Sequence, residues 1–430
     1  MPEPTLPRGF RDLMPNEALF RIKLIRKIES VFELYGFLVI DTPSLEKLSV
    51  LNAKGGIGEE AKLIFEIKDD DTGMRYDNTV SLARYISMHR DLPMPFKRYT
   101  VGKVWRREEP QRMRYREITQ ADIDIVGGDP LLADTEVIAA LSSLFDVLGL
   151  PHVIELNDRS MLEAMMAKIG IESSLFNKVE HELDRLEKIG SAKVVESLLG
   201  IGLQKSVVDQ LMQIVGSDAT NEALLDSVDS IMGGASYTNH IRGLINMFKQ
   251  YGSSGTIVVK LSMVRGLDYY TGVIFEFKDA SETNEKLTLA GGGRYDRLIG
   301  LYGSQSMPAV GAAIGVDRLM DMFKASASPE YSGTRAFVAC VKQANYPYAL
   351  KIAQALRTKG VPVEVNLTER NLSNQFSYAS STKVPYVIVV GDAEEKAGTL
   401  KLRNMADGTE GIMSIEGAVH AIIGVLDSEK

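Results

Sequence analysis

Five arginines, Arg106, Arg107, Arg112, Arg114 and Arg116, fall between Trp105 and Arg116 against only two carboxylates, Glu108 and Glu109. Guanidinium groups at that density suit phosphate oxygens, which their planar fork of N–H donors matches in geometry and in charge. Just beyond them, Gln120, Asp122 and Asp124 are spaced two apart, so on a strand all three side chains leave the same face. Two carboxylates and an amide on the inner face of a half-buried strand call for something polar to bind there. A solvated edge ribbon with a charged face is the plain alternative. Arg75, Arg265 and Arg318 add three more guanidinium groups in otherwise apolar elements. Arg318 stands in the first turn of a predicted helix, where a cation opposes the macrodipole, and such a local misfit raises the case for function. Converging arginines would bind a polyphosphate and stabilise charge growing at phosphorus in an in-line displacement. Asp77, Gln120 and Asp124 could anchor an amine or another polar donor. The residues point to a nucleotide-using enzyme built on an antiparallel sheet.

The elements that must position these groups follow from the pattern. Phe96 to Gly127 reads as two alternating segments around a polar turn, an antiparallel hairpin with a long loop. A Pro-rich arm, Pro2–Pro15, precedes a helix running from Asn16 to about Tyr35, with Gly36 as its stop. A strand, Phe37–Ile40, then leads to Pro43. Lys62–Lys68 is a predicted strand, and Gly73 a turn. Arg75 and Asp77 share a strand face, and Asn78 or Thr79 could cap the next helix; polar groups at such a junction suit a ligand but are usually caps. Leu131–Leu148 is a helix and Val153–Leu156 a strand. From 159 to 252 the pattern is helical, an insertion without a catalytic constellation. Strands return at Thr256–Leu261, Gly272–Phe277 and Leu287–Ala290. The glycine run up to Gly293 matches neither phosphate-loop nor dinucleotide spacing, and reads as a tight turn where backbone approaches a neighbour or ligand. A small-residue strand then passes through Gly315 into the Arg318 helix. Ser326–Thr334 is a linker by composition. Beyond it, alternating strands and helices predict a compact α/β module with a largely parallel sheet.

Composition bounds the rest. A chain of 430 residues, 45% of them apolar, is long enough for two or three domains with sizeable cores. Its net charge of −8 argues against bulk attachment to nucleic acid or to an anionic membrane, though a local basic patch could still bind nucleic acid. Cys340 is the single cysteine and the five histidines are scattered, which leaves no thiolate zinc cage. No apolar run approaches ~20 residues and no signal core opens the chain, so a soluble intracellular protein without a membrane span is expected.

The motifs carry a resemblance. VGKVWRREEPQRMRYREITQADIDIVG resembles the second signature motif of class II aminoacyl-tRNA synthetases. The helix–strand–Pro43 unit resembles the first, which forms their dimer interface, and GAAIGVDRLMDMF the third. VRGLDYYTG and AGGGRYDRL are similar to the two motifs specific to the histidyl-tRNA synthetase family, and the likeness runs the length of the chain in the family's order. MRYDNTVSLARY looks like the archaeal and eukaryotic branch, and Asp77 and Asp124 stand where many bacterial members carry glutamate. Ile118 stands where the family usually has an aromatic against adenine.

The resemblance implies an α+β class II catalytic domain, residues 1–330, interrupted by a helical insertion at 159–252, and a C-terminal α/β anticodon-binding domain at 334–430. It implies activation of L-histidine by ATP to histidyl-adenylate, then transfer to tRNA(His), by a cytoplasmic homodimer. Magnesium is expected with ATP, its protein ligands unassigned, and no zinc. Arg106 would contact the histidine carboxylate and the α-phosphate; Arg114 and Arg318 would grip the triphosphate, and Glu108 would contact adenine. Arg265 would stabilise charge at the α-phosphate. Asp77, Thr79 and Gln120 would hold the α-amino group. Asp124 and Tyr270 would bind the imidazole, with Tyr269 beside them and Tyr295 closing the pocket. Gln111 would meet the tRNA acceptor end. The alternative is a catalytically idle relative, a regulatory subunit of histidine biosynthesis or a sensor of uncharged tRNA. Such relatives tend to lose the histidine motifs or the C-terminal module, and this chain carries both.

Overall fold

The computed structural model describes residues 3–52, 62–111, 114–217, 219–264, 269–281, 287–303, 305–323 and 333–428. The chain divides into two compact units, residues 1–11 with 24–323, and residues 12–23 with 324–430. The helix predicted from Asn16 forms over Pro15–Leu34.

The first unit is organised on an eight-stranded sheet. In chain order its strands are β1 (Leu38–Val39), β5 (Phe96–Trp105), β6 (Glu117–Val126), β7 (His152–Asp158), β8 (Thr256–Val259), β9 (Val273–Asp279), β10 (Thr288–Arg294) and β11 (Ala309–Gly315). Across the sheet they run β1-β5-β6-β11-β10-β9-β7-β8, antiparallel except for the β1/β5 and β7/β8 pairs at its two edges. The predicted hairpin is present, and its register pairs Phe96 with Val126 and Trp105 with Glu117. That pairing fixes which side chains of β6 face which way, because a one-residue slip would send Gln120, Asp122 and Asp124 to the other side.

Three expectations differ from the structure. The glycine run is no turn. Gly291, Gly292 and Gly293 lie inside β10, paired on both sides. The close approach is real, however: a Cβ at Gly292 would meet the Gly311 carbonyl oxygen at 2.2 Å. Gly73 also lies mid-strand, in β4 (Thr72–Met74), which forms a small sheet with β2 (Leu45–Lys47) and β3 (Phe65–Glu66). A Cβ there would meet Ile64 Cγ2 at 2.8 Å, so glycine serves packing rather than a bend. Only Phe65–Glu66 of the predicted strand Lys62–Lys68 is extended.

Helix Pro130–Val147 starts on Asp129, whose carboxylate accepts from Leu132 N, with proline in the first turn. Most of its length is buried, as its all-round apolar sequence requires. Among the described residues of 159–252 the regular elements are helices, such as Phe176–Asp184, Ser191–Gly200 and Lys205–Val215, which bury Val179, Leu183, Val194, Leu198, Val208 and Leu211.

Polar contacts, from His240 and Tyr251, tie residues 159–252 to the helix Pro130–Val147. His240, on Asn239–Phe248, places Nε2 2.7 Å from Asp134 Oδ2, and Asp134 is fully buried beside Arg294. That hydrogen bond holds the His240 imidazolium above its ordinary range. A raised folded-state value contributes stability below the ordinary histidine pKa, and the contribution fades as pH rises through the raised value. His240→Ala should therefore lower unfolding stability by ~1–2 kcal/mol near pH 6 and by less near pH 9, read from urea titrations at the two pH values.

In the second unit a five-stranded sheet runs β13 (Val363–Val365), β12 (Ala336–Cys340), β14 (Tyr386–Val390), β15 (Leu400–Asn404), β16 (Glu410–Met413). The first three are parallel, as the α/β alternation predicts, while β15 and β16 are antiparallel because their connections, the first holding only the short helix Asp392–Ala397, are too short to cross over. Helices Tyr346–Thr358 and Ile415–Ser428 cover one face and Leu372–Ser381 the other, around Val338, Ile352, Leu356 and Ile388 on the first side and Phe337, Ala379 and Val387 on the second. Cys340 is buried there, its thiol pushed up to about 11 by burial, so it is a packing residue.

Candidate active site

A cavity of about 790 Å³ opens over the middle strands of the eight-stranded sheet. Its floor is β6 with Ile118, Gln120 and Asp122, β11 with Gly311 to Ala313, β10 with Thr288 to Gly291, and β9 with Glu276. Small residues on the two central strands leave the space that larger side chains would fill. The walls bring in Tyr76, Asp77 and Thr79 from before and within the start of helix Thr79–Met88, Arg106, Glu108 and Arg114 from the hairpin loop, then Tyr269, Tyr270, Tyr295 and Arg318. Segments more than two hundred residues apart in sequence meet here.

Part of the lining is cationic. Arg106 Nε donates to the Tyr76 carbonyl at 3.0 Å, which orients the guanidinium along the cavity wall. Arg114 Nε pairs with Glu108 Oε2 at 3.1 Å, and Arg116 Nε donates to the Glu108 backbone carbonyl at 2.8 Å, so Glu108 is held at both its side chain and its main chain. Arg318 Nη1 donates to the Thr288 carbonyl at 2.7 Å. Its awkward place at a helix start is offset by Asp317, whose carboxylate accepts from Thr119 N at 2.6 Å and pairs with Arg11 at 2.7 Å. Arg11 also donates to the Tyr115 hydroxyl and stacks over that ring. Arg11, which sequence reasoning passed over, is thus tied to the cavity rim.

Another part is carboxylate-rich and buried. Asp124 has Arg98 opposite it on β5 and Gly311 opposite it on β11. Arg98 is fully buried, and its Nη2 lies 2.5 Å from Asp124 Oδ2. The Tyr295 hydroxyl donates to Asp124 Oδ1. Burial pushes the Asp124 carboxyl upward, against the Arg98 charge. Asp122, two residues back on the same face, receives a hydrogen bond from Asn78 Nδ2 and is pushed up to about 7, chiefly by burial. Asp77 Oδ1 accepts from Val80 N at 2.9 Å, so it caps the helix as well as lining the cavity. Thr79 is hydrogen-bonded to Tyr269, and Tyr269 packs edge-on against both Tyr270 and Tyr295.

Of the residues singled out in the sequence, Asp77, Thr79, Arg106, Glu108, Arg114, Gln120, Tyr269, Tyr270, Tyr295 and Arg318 line this one cavity. Asp124 lies beneath it, reached through Tyr295. Gln111 is exposed at the loop tip, bridged to Arg114, outside the cavity. Arg265 and Arg112 lie outside the described residues. Arg75 is a departure: it is buried, donating to the carbonyls of Lys103 and Thr42 and to the Thr42 hydroxyl, and it holds β5 to the chain before β2 instead of facing the cavity. Arg98 and Glu276 were missed. Arg98 reads as one more charge on an edge-like strand until the cross-strand register is known.

An antiparallel sheet carrying an arginine-rich hairpin and an arginine-headed helix on one cavity is the catalytic fold of class II aminoacyl-tRNA synthetases. A sequence model described as histidyl-tRNA synthetase matches residues 9–319, and one described as an anticodon binding domain matches residues 335–424. A histidine–tRNA ligase of Korarchaeum cryptofilum is 37% identical, over 93% of this chain and 94% of its own length. One of Aeropyrum pernix is 35% identical over 99% of both. The solved histidyl-tRNA synthetase of Nostoc sp. PCC 7120 superposes with a TM-score of 0.86 at 27% identity, over 98% of this chain and 99% of that one. The chain belongs to the histidyl-tRNA synthetase family.

Proposed function

We propose that this cavity activates L-histidine with ATP and that the enzyme then charges tRNA(His), making it a histidine–tRNA ligase. What supports the reading is that arginines, carboxylates and tyrosines line one cavity, in a chain of this family. The histidine carboxylate attacks the α-phosphorus, an O–P bond forms, and the bond to the β-phosphate oxygen breaks as pyrophosphate leaves. The carboxylate is already a nucleophile, so catalysis is positioning and charge stabilisation rather than proton transfer.

Arg106 is assigned to the reacting carboxylate and α-phosphate, Arg114 and Arg318 to the triphosphate, and Glu108 to adenine. Arg265 is assigned to the charge at the α-phosphate. Asp77, Thr79 and Gln120 take the α-amino group, and Asp124, through Tyr295 and with Tyr269 and Tyr270, governs the imidazole end. A polar partner for the ring penalises substrates that lack its N–H, the strong form of discrimination. Gln111 and the hairpin loop are assigned to the acceptor end of the tRNA, and residues 334–430 to its anticodon.

Magnesium would arrive with the ATP phosphates, and Glu276, a floor carboxylate that accepts from the Thr288 hydroxyl and pairs with Lys278, is a residue that would help to hold it. When bound, the ion neutralises phosphate charge. No cluster of three or more metal-binding side chains occurs among the described residues, and no described helix is long and apolar enough to cross a membrane. The reading places the enzyme in the cytoplasm.

Supply of purified protein with labelled histidine, ATP and a tRNA(His) transcript should give histidyl-tRNA; charging of that transcript with another amino acid, or none, would sink the assignment. Arg265→Ala should cut adenylate formation far more than histidine affinity, and equal loss of both in single-turnover and binding measurements would remove its transition-state role. The homodimer is read from an apolar edge: Leu34, Leu38 and Val39 are 84%, 60% and 65% exposed at and beside β1. Leu38→Asp with Val39→Asp should convert a dimeric mass in light scattering to a monomeric one.

A further inference from the structure

Asp122 is a cavity-lining carboxylate to which none of the roles above has been given. It lies on β6 between Gln120 and Asp124, on their face of the strand, with its side chain almost fully buried. The two acids differ in what they already hold. Asp124 has a full countercharge in contact, from Arg98, and a hydroxyl donor from Tyr295. Asp122 receives only the neutral amide of Asn78. Its cross-strand neighbours, Thr100 on β5 and Ala313 on β11, bring no charge. The remaining charged groups that act on it are Arg98 from β5, Arg75 after β4, and the carboxylates Asp77 and Asp124.

Two further acceptors lie close in sequence or on the same strand face. Asn78 Oδ1 and Gln120 Oε1 are buried and have no hydrogen-bond donor among the described residues. A buried acceptor without a donor is costly, so a site with several of them is built for a ligand that brings donors. An incompletely compensated carboxylate asks, in addition, that the ligand be cationic. Histidine near neutral pH has one permanent cation, its α-ammonium, with three N–H donors.

Resting on the histidine-activating reading, we propose that Asp122, held in place by Asn78, contacts the α-ammonium group of histidine and shares the role of its countercharge with Asp77. Asp124, already balanced by Arg98, is left to act on the ring through Tyr295. The upward push that burial exerts on Asp122 agrees with a carboxylate whose charge is only partly compensated by its protein neighbours.

The test separates the two ends of the substrate. Affinities of wild type and Asp122→Asn are measured by calorimetry for histidine, for histidinol, which keeps the ammonium, and for imidazolepropionic acid, which lacks it. Asn preserves shape and still accepts from Asn78. Loss of a charge-assisted contact should weaken histidine and histidinol by on the order of 10–100-fold, and imidazolepropionic acid by less than about threefold. Asn78→Ala, which loosens the carboxylate without removing it, should show the same ligand pattern with a smaller loss. The pattern compares ligands within one variant, so partial unfolding cannot mimic it. Equal weakening of all three ligands overturns the proposal in favour of a ring-contacting or structural role, and no weakening of any overturns it outright. A wild-type protein that binds none of the three overturns the functional reading, and this inference with it.

Discussion

Arg106→Ala is expected to lower histidine-dependent ATP–pyrophosphate exchange by on the order of 10²–10³-fold, with ATP affinity changed far less, as for loss of a donor aimed at developing charge. The expectation rests on how the side chain is held. Nε is spent on the Tyr76 carbonyl at 3.0 Å, and the backbone N of Arg106 is bonded to the Arg116 carbonyl across the hairpin mouth. The guanidinium is therefore oriented before any substrate arrives, and its outer edge faces a cavity that Gln120 and Asp122 enter from the floor. Preorganised donors gain most where charge builds up, because no reorientation is needed at that moment. Arg106→Lys should recover little, since an ammonium cannot bond Tyr76 and two substrate oxygens with one planar fork. Exchange kinetics at saturating ATP and histidine read the effect; loss confined to KM for either substrate would assign Arg106 to ground-state binding alone.

Gly311→Ala is the second large effect. The added methyl carbon would lie 1.9 Å from Asp124 Oδ1 and 2.5 Å from Asp124 Cγ, with the Ile123 carbonyl at 2.9 Å. Asp124 cannot swing aside cheaply, because Arg98 holds its other oxygen and Tyr295 donates to the crowded one. β11 cannot retreat either, because it is paired on both sides in the sheet's interior. Overpacking of this kind costs ~1–3 kcal/mol in stability. Displacement of Asp124 and Tyr295 by an ångström should raise KM for histidine by on the order of 10²-fold, with KM for ATP nearly unchanged. Gly200→Ala is the control: nothing lies within 4 Å of its Cβ position, and exchange should match wild type. Steady-state exchange on both variants reads the contrast. Equal effects on the two KM values would mean that the methyl perturbs the sheet as a whole rather than the histidine end.

The strand face that organises this site was legible because side-chain alternation is local: Gln120, Asp122 and Asp124 share a face in any register. Which of them meets the cavity was not. That depends on Arg98 and Gly311 arriving opposite Asp124 from two other strands, one of them almost two hundred residues away. The same limit explains Arg75, whose type and flanking pattern match those of the ligand-facing arginines while its donors are consumed by Thr42 and Lys103. The glycine run shows a different limit. Gly291–Gly293 demands close backbone approach, but glycine serves a turn and a tightly packed central strand equally well, and only the pairing with β9 and β11 decides. The parallel core of the C-terminal sheet followed from its alternation, whereas the antiparallel β15 and β16 depended on connections too short to cross over. The motif resemblance supplied the roles that spacing alone left open, such as a ring-binding rather than an amine-binding task for Asp124.

ATP–pyrophosphate exchange in the absence of tRNA tests the central claim most directly, because it reads amino-acid activation alone. Each of the twenty amino acids is supplied in turn with ATP, magnesium and labelled pyrophosphate. Exchange should depend on histidine and stay near background with every other amino acid. Exchange that is absent with histidine, or equal with another amino acid, would contradict the assignment of this cavity.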